Sequence, residues 1–264
     1  VCDQIGSLSA YWAWDGGSLV VASEVPELLR ALSRRPPPDP LAVAHWVMIT
    51  GPKAGSTLFA GVHSIRAGHL LRISPGHCAP ERYWDPVYRE PIRAPREDQE
   101  RRLREALERA VARRYASETE TGVLLSGGLD SSTIASLAAR CGPVRGYSAV
   151  FPDHPGMDEA ALINRTASGL GIDSTRIVVR DGSTLAGALA YLEAWQLPPT
   201  SPNLFFWTPL LDRASSDGIH VMLDGEGGDE LFGFSPYLVA DRLRRGRLSS
   251  MLTLAGNWPG DVGH

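Results

Sequence analysis

Lysine is almost missing from this chain: Lys53 is the only one among 264 residues, and arginine supplies every other Lys/Arg position. A nucleotide mechanism placed anywhere after residue 53 must therefore do without a lysine. Cysteine is scarce too. Cys2, Cys78 and Cys141 lie far apart with no CxxC or Cys/His spacing, which argues against a disulfide framework or a zinc site and fits a reducing compartment. The longest apolar runs, around Gly122–Leu125 and Ile219–Leu223, are much too short to span a bilayer, and the opening residues do not read as a charged-then-apolar leader. Neither sign of charge dominates; a formal net charge of −4, with basic residues scattered, leaves no electrostatic footprint for DNA or RNA. A cytoplasmic protein with no membrane and no nucleic-acid partner is the expectation.

What is present describes an ordinary globular chain: 43% apolar and 21% charged residues without a low-complexity tract, enough to bury a core in one large or two small domains. Because the chain opens on Val1 and closes on a Gly/Pro-containing stretch near residues 255–260, it is expected to be a fragment of a longer protein. The first eighty residues read as short strands at Tyr11–Trp14, Leu19–Ala22, Thr57–Val62 and His69–Ile73. Helices are expected over Glu24–Ser33, where Val25, Leu28, Leu29 and Leu32 repeat at helical spacing, and from Asp39-Pro40 toward Met48. Prolines and mixed charge between Trp84 and Pro95 read as a linker. This predicts a boundary there: a β-rich domain over 1–84, a linker over 85–96 and a second domain over 97–264.

After the linker the rhythm changes to helices alternating with short apolar strands. Helices are predicted over Glu97–Tyr115, Ser131–Arg140, Asp158–Leu170, Ser183–Trp195 and Phe205–Ser215, with strands at Gly122–Leu125, Val144–Phe151, Thr175–Val179 and Ile219–Leu223. Such alternation predicts an α/β fold, a parallel sheet with helices on both faces.

Two short stretches in that domain carry chemistry. The strand ending at Leu124 and Leu125 runs into Ser126-Gly127-Gly128-Leu129-Asp130-Ser131-Ser132 and then a helix. Two glycines let the backbone bend close to a ligand, the amides opening the helix favour an anion, and three serines add hydroxyls. It is not a Walker A loop, since the terminal Gly-Lys-Ser/Thr is absent. A carboxylate beside a phosphate site calls for a divalent cation between them, so Asp130 predicts Mg²⁺. The plain alternative is that Asp130 or Ser131 only caps the helix. The second stretch, Asp224-Gly225-Glu226-Gly227-Gly228-Asp229-Glu230-Leu231-Phe232, follows the strand at Ile219–Leu223. Ligands of open α/β sheets bind at the carboxyl ends of strands, so both stretches are expected to face one crevice, with Asp130 and Asp229 on its two sides. Here the plain alternative is an acidic first turn that favours a helix dipole.

Ser126–Ser132 resembles the pyrophosphate-binding loop of the N-type ATP pyrophosphatases. Gly122–Ser132 together with Asp224–Phe232 resembles the two signatures of the asparagine synthetase family. That resemblance implies ATP and Mg²⁺ as cofactors. It implies nucleotide contacts from Leu124, Ser126, Gly127, Gly128, Asp130, Ser131, Ser132, Asp224 and Gly225, backbone contacts near Val150 in the strand Tyr147–Phe151, metal binding by Asp130 and Asp229, and Glu226 at the reacting centre. One departure stands out, since the common family pattern has a serine where this chain has Asp224. Tyr11–Leu19 with Ala22-Ser23-Glu24, Phe59–Val62 with Gly68-His69, and Arg82–Pro86 look like the last third of the family's glutamine amidotransferase domain, without the front that would carry its cysteine nucleophile. Cys2 lies inside that domain by this match and is not expected to be the nucleophile.

The family's later catalytic lysine has no counterpart after Lys53 and is expected beyond His264. The resemblance implies an AMP-forming ligase that joins a carboxylate to an amine, foremost aspartate and an ammonia donor. Lasso-peptide cyclases also resemble this family, and Pro198-Pro199-Thr200-Ser201-Pro202-Asn203 departs from asparagine synthetase text, so macrolactam formation in a precursor peptide is the rival. β-Lactam-forming synthetases are a more distant third, and a catalytically inactive nucleotide-binding module is the alternative from another class.

Overall fold

Strand–helix alternation after residue 96 builds a four-stranded, all-parallel sheet. In the computed structural model, which describes residues 1–48, 55–74, 77–87, 92–116, 120–180, 182–199, 201–232 and 236–256, β6 (Thr121–Leu124) is flanked by β7 (Val144–Val150) and β9 (Val221–Leu223). Beyond β7 lies β8 (Asp173–Val178), giving the order β8-β7-β6-β9. Lys53, Thr200, the middle of the expected linker at 88–91 and the stretch from 257 onward lie outside the described residues.

Because successive strand residues point to opposite faces, β6 feeds two cores. Val123 and Leu125, with Val150 and Leu223, pack against Val111 of α3 (Arg96–Arg114), Ala135 and Ala138 of α4 (Leu129–Cys141), and Ile163 and Ala167 of α5 (Ala160–Leu170). Leu124, Tyr147, Ile177 and Met222 face the other way, onto Leu210 and Ala214 of α7 (Leu204–Ser216). Helices therefore cover both faces, as the alternation predicts. Each fully buried Val, Leu or Ile contributes roughly 1.5–3 kcal/mol to this arrangement. The turn between α7 and β9 is tied to the sheet by polar groups. The Tyr147 hydroxyl donates to Asp217 Oδ2 at 3.0 Å, Arg213 Nε donates to the same carboxylate, and burial pushes the Tyr147 phenol above its ordinary value.

The amino-terminal residues form a separate three-stranded antiparallel sheet, order β2-β1-β3, from β1 (Tyr11–Asp15), β2 (Ser18–Ala22) and β3 (Val62–Ser64). Gly16 and Gly17, both at positive φ (55° and 90°), make the two-residue turn between β1 and β2. Tyr11, Ala13 and Val62 bury against Val25, Leu28 and Leu29 of α1 (Val25–Ala31). Asp39 accepts from the amides of Leu41 and Ala42 and so caps α2 (Pro40–Val47).

Four expectations need correcting. The strand expected over Thr57–Val62 begins only at Val62, because the buried Thr57 hydroxyl bonds the Val62 carbonyl (2.9 Å) and takes the Phe59 amide (3.1 Å), which makes a turn. The strand at β4 (His69–Ser74) pairs with β5 (His77–Arg82), which is not legible in sequence because Pro80 interrupts it; an edge position tolerates that proline. α4 starts at Leu129, two residues before the expected Ser131, which takes Asp130 and Ser131 into the first helical turn. The helix expected at Ser183–Trp195, α6 (Thr184–Trp195), does not serve the parallel sheet. The compact units are residues 1–96 with 181–209, and 97–180 with 210–264, so α6 belongs with the amino-terminal residues, where it meets α1 and where Leu197 joins the α1 core. Beyond Phe232 the chain continues in α9 (Pro236–Arg244) and α10 (Leu248–Gly256).

Candidate functional site

At the carboxyl end of β6 the backbone turns sharply into α4. Gly127 has φ +85°, and a Cβ there would lie 2.7 Å from Leu162 Cβ and 2.9 Å from Ile163 N, so both the turn and the close approach of α5 demand glycine. The serines organise the turn. Ser131 Oγ accepts from the Ser126 amide (3.2 Å), sits 2.9 Å from Ser126 Oγ and contacts the Gly128 carbonyl (3.3 Å). Ser132 Oγ reaches Thr166 Oγ1 on α5 at 3.4 Å.

The capping alternative fails here. The N-cap of α4 is Gly128, with no side-chain bond to the helix, so neither Asp130 nor Ser131 occupies the cap position; the Gly128 amide reaches Ser126 Oγ (3.4 Å), and the Leu129 and Asp130 amides have no acceptor among the described residues. An uncapped helix start carries the positive end of the helix dipole, the environment an anion such as a phosphate favours.

The second loop closes on this turn from β9. A Cβ on Gly225 would lie 2.7 Å from Ser131 N and 2.8 Å from Asp130 C; one on Gly228 would lie 2.5 Å from Asp130 Cγ and 2.6 Å from Oδ2. Gly225 thus lies against the backbone at Asp130–Ser131, where only glycine fits, and Gly228 against the Asp130 carboxylate, which a larger residue there would displace. Asp224 Oδ1 accepts from the Glu226 amide at 3.1 Å and fixes the loop's first bend, while Gly227 takes φ +91° at its second. α8 (Gly228–Phe232) follows, with Asp229 and Glu230 exposed in its first turn, the acidic helix start that the plain alternative expects.

The structure thus brings Ser126, Gly127, Gly128, Asp130, Ser131, Gly225 and Gly228 together. Glu226 and Asp229 are exposed on the same loop and helix start. Leu124 is half-buried among the residues facing α7. At Val150 the backbone is already engaged: its carbonyl accepts from the Val179 amide (2.9 Å), and the following amide, of Phe151, donates to Asp158 Oδ1 (3.0 Å). On the β6 side of the same strand, the Tyr147 carbonyl accepts from Leu125 N at 2.8 Å. Leu162, Ile163 and Thr166, which meet the serine turn from α5, are the residues that sequence reasoning missed, and nothing local marks them.

The donors suit a hard divalent cation, being carboxylates and hydroxyls. Among the described residues no cluster of three or more His, Cys, Asp or Glu side chains is arranged to hold a metal. Mg²⁺ fits such a site, since it keeps waters and takes phosphate oxygens to complete its shell. Asp130, held by the glycine backbone, is the residue that would hold it, with Asp229 the nearby exposed carboxylate on α8.

Comparison with known proteins decides the family. The asparagine synthase family model matches residues 102–259, more than half of the chain and both signature loops. The chain belongs to the asparagine synthase family. An amidase of Penicillium rubens is 29% identical, with 91% of this chain and 38% of the relative aligned. A putative glutamine-hydrolysing asparagine synthetase of Mycobacterium bovis is 28% identical over 88% of this chain and 36% of its own length. The chain thus spans less than two-fifths of these relatives. Among solved structures, the NH3-dependent NAD synthetase of Campylobacter jejuni aligns with a TM-score of 0.33 and 16% identity over 51% of this chain and 60% of that one. No described helix is long and apolar enough to cross a membrane.

Proposed function

We propose that this chain carries the ATP site of an AMP-forming amide ligase. The contact of two glycine-rich loops at the ends of β6 and β9, with Gly225 and Gly228 laid on Asp130 beside an uncapped helix start, is the observation that carries the reading. An oxygen of the acceptor carboxylate bonds to the α-phosphorus of ATP as pyrophosphate leaves; the amine then bonds to the acyl carbon and AMP departs. Mg²⁺, when bound, supplies positive charge for the departing pyrophosphate. The amides of α4 and the Ser126–Ser131 hydroxyl pair bind and orient the phosphates, and a preorganised donor of this kind is worth roughly 10²–10³ in rate. Glu226 takes the proton that the attacking amine loses.

Aspartate, with ammonia derived from glutamine, is the first candidate pair, supported by the family and by relatives named asparagine synthetases. A precursor peptide undergoing macrolactam formation is the second, favoured by the Pro198–Asn203 text, a departure from the asparagine synthetase pattern. Residues 1–84 are proposed to be the last third of an amidotransferase-like domain, and residues 97–264, whose segment 181–209 packs with the amino-terminal unit, the synthetase domain.

Substrate-dependent ATP–pyrophosphate exchange by the complete polypeptide carrying this chain tests the reading. Exchange with aspartate identifies asparagine synthesis, and exchange only with a peptide identifies a cyclase. ATP binding without exchange for any carboxylate overturns the ligase reading in favour of an inactive nucleotide-binding module. Within the ligase reading, Glu226→Gln is expected to leave exchange near wild type while amide formation slows about 10²-fold. Equal loss in both half-reactions would move Glu226 from the amine to the nucleotide.

A further inference from the structure

We propose that the cavity between α9 and α10 is a second anion site, suited to a phosphoryl group and sharing no residue with the two glycine-rich loops. It is open, about 420 Å³ in volume, and lined by Arg242, Ser249, Ser250, Thr253 and Leu254. Arg242 is the residue that asks for a ligand. Elsewhere in the fold arginines take carboxylates, as Arg101 takes Asp98 and Glu105 and Arg180 takes Asp153. Arg242 is half-buried, its guanidinium donates to Ser250 Oγ across the hairpin, and it makes no salt bridge among the described residues. A charge withdrawn from water costs free energy unless an opposite charge meets it, and the other lining residues are three hydroxyls and a leucine. The surroundings raise the positive potential further. Residues 236–256 contain Arg242, Arg244, Arg245 and Arg247 and one acid, Asp241, which is exposed and forms no salt bridge with Arg242.

The donors decide which anion fits. A guanidinium carries roughly five N–H donors in a planar fork, and the bond to Ser250 leaves most of them unused. Ser250 accepts in that bond, so its own hydroxyl hydrogen stays available to a ligand. Ser249 Oγ has no partner among the described residues. Thr253 Oγ1 donates to the Ser249 carbonyl at 3.0 Å, so it shapes the wall and gives no donor. Both serines stand in the first turn of α10, where the helix dipole adds to the charge of Arg242. A carboxylate presents two oxygens and is satisfied by an arginine fork alone, whereas a phosphoryl group presents three strong acceptors. A guanidinium on α9 with two hydroxyls on α10 matches the second. Cavities of roughly 300–1,000 Å³ hold small molecules, so there is room beside Leu254 for the organic part of a phosphate ester.

Titration of the isotope-labelled 264-residue chain with inorganic phosphate, phenyl phosphate and benzoate, followed through its amide and arginine Nε–H NMR signals, tests the proposal. Phenyl phosphate is expected to shift Arg242 Nε–H and the Ser249 and Ser250 amides. Its affinity is expected to fall about tenfold in Arg242→Gln, the effect of losing a hydrogen bond to a charged group, and by less in Ser250→Ala; thermal melting of each variant verifies that it is folded. Tighter binding of phenyl phosphate than of inorganic phosphate would mark an esterified ligand and equal binding the free ion, and either outcome supports the site. Benzoate bound as tightly as phenyl phosphate would make this a carboxylate site and overturn the proposal. Shifts confined to Ser126–Ser131 would put the probe on the serine turn and overturn it as well. Unchanged affinity in Arg242→Gln, or no shift with any of the three probes, would have the same result.

Discussion

Asp130→Asn is expected to lower ATP–pyrophosphate exchange by roughly 10²–10³ while the melting temperature stays within a few degrees of wild type. The substitution keeps the side chain's shape against Gly228 and removes the charge that a cation between carboxylate and phosphate requires. Stability changes little because the residue lies in the first turn of α4 and contributes no side-chain cap. Asp229→Asn is expected to produce a loss of similar size, since each residue supplies one side of the proposed clamp. The effects should not multiply in the double variant, because a clamp already broken on one side loses little more from the other. Wild-type exchange in Asp229→Asn beside a crippled Asp130→Asn would leave the cation on Asp130 alone and discard the two-sided arrangement.

Gly228→Ala is the more demanding test, because the added group is one methyl and no charge is altered. Its Cβ would sit 2.5 Å from Asp130 Cγ, a distance that real Cβ contacts essentially never show, so either the carboxylate or the second loop must shift. Overpacking of this kind costs about 1–3 kcal/mol. A displacement of about 1 Å in a positioned group costs about 10²-fold in rate. Exchange is therefore expected to fall about 10²-fold, and calorimetry with ATP and Mg²⁺ is expected to show weaker binding of the complex. Unchanged exchange and affinity in a folded Gly228→Ala variant would mean that the contact between the second loop and Asp130 has no functional weight, and the central observation for the proposed site would fall with it.

Gly225 and Gly228 illustrate how far sequence reasoning reaches. That Asp224–Phe232 is poor packing material at the end of an apolar strand is visible in the letters, as is the strand–turn–helix setting of Ser126–Ser132. Which glycine touches which residue is not. Gly227 has the unusual backbone angle, φ +91°, yet Gly225 and Gly228 are the ones pressed on the first turn of α4, about ninety-five residues earlier in the chain. Serine identity likewise gives no hint that Ser131 turns back to Ser126 rather than outward.

The sequence by itself determined the parallel sheet, its helices on both faces and the two loops at its carboxyl edge, because each of these is written locally, in apolar periodicity and turn residues that act over a few positions. Tertiary structure alone decided that α6 leaves the parallel sheet for the amino-terminal unit, that β5 forms across Pro80, that the Val150 carbonyl is taken by the Val179 amide, and that Asp130 lies under the backbone of the second loop. The physical reason is common to all four. Periodicity states that a face is apolar and a glycine that a close approach is tolerated; which partner fills the face or makes the approach is set by packing between segments distant in sequence.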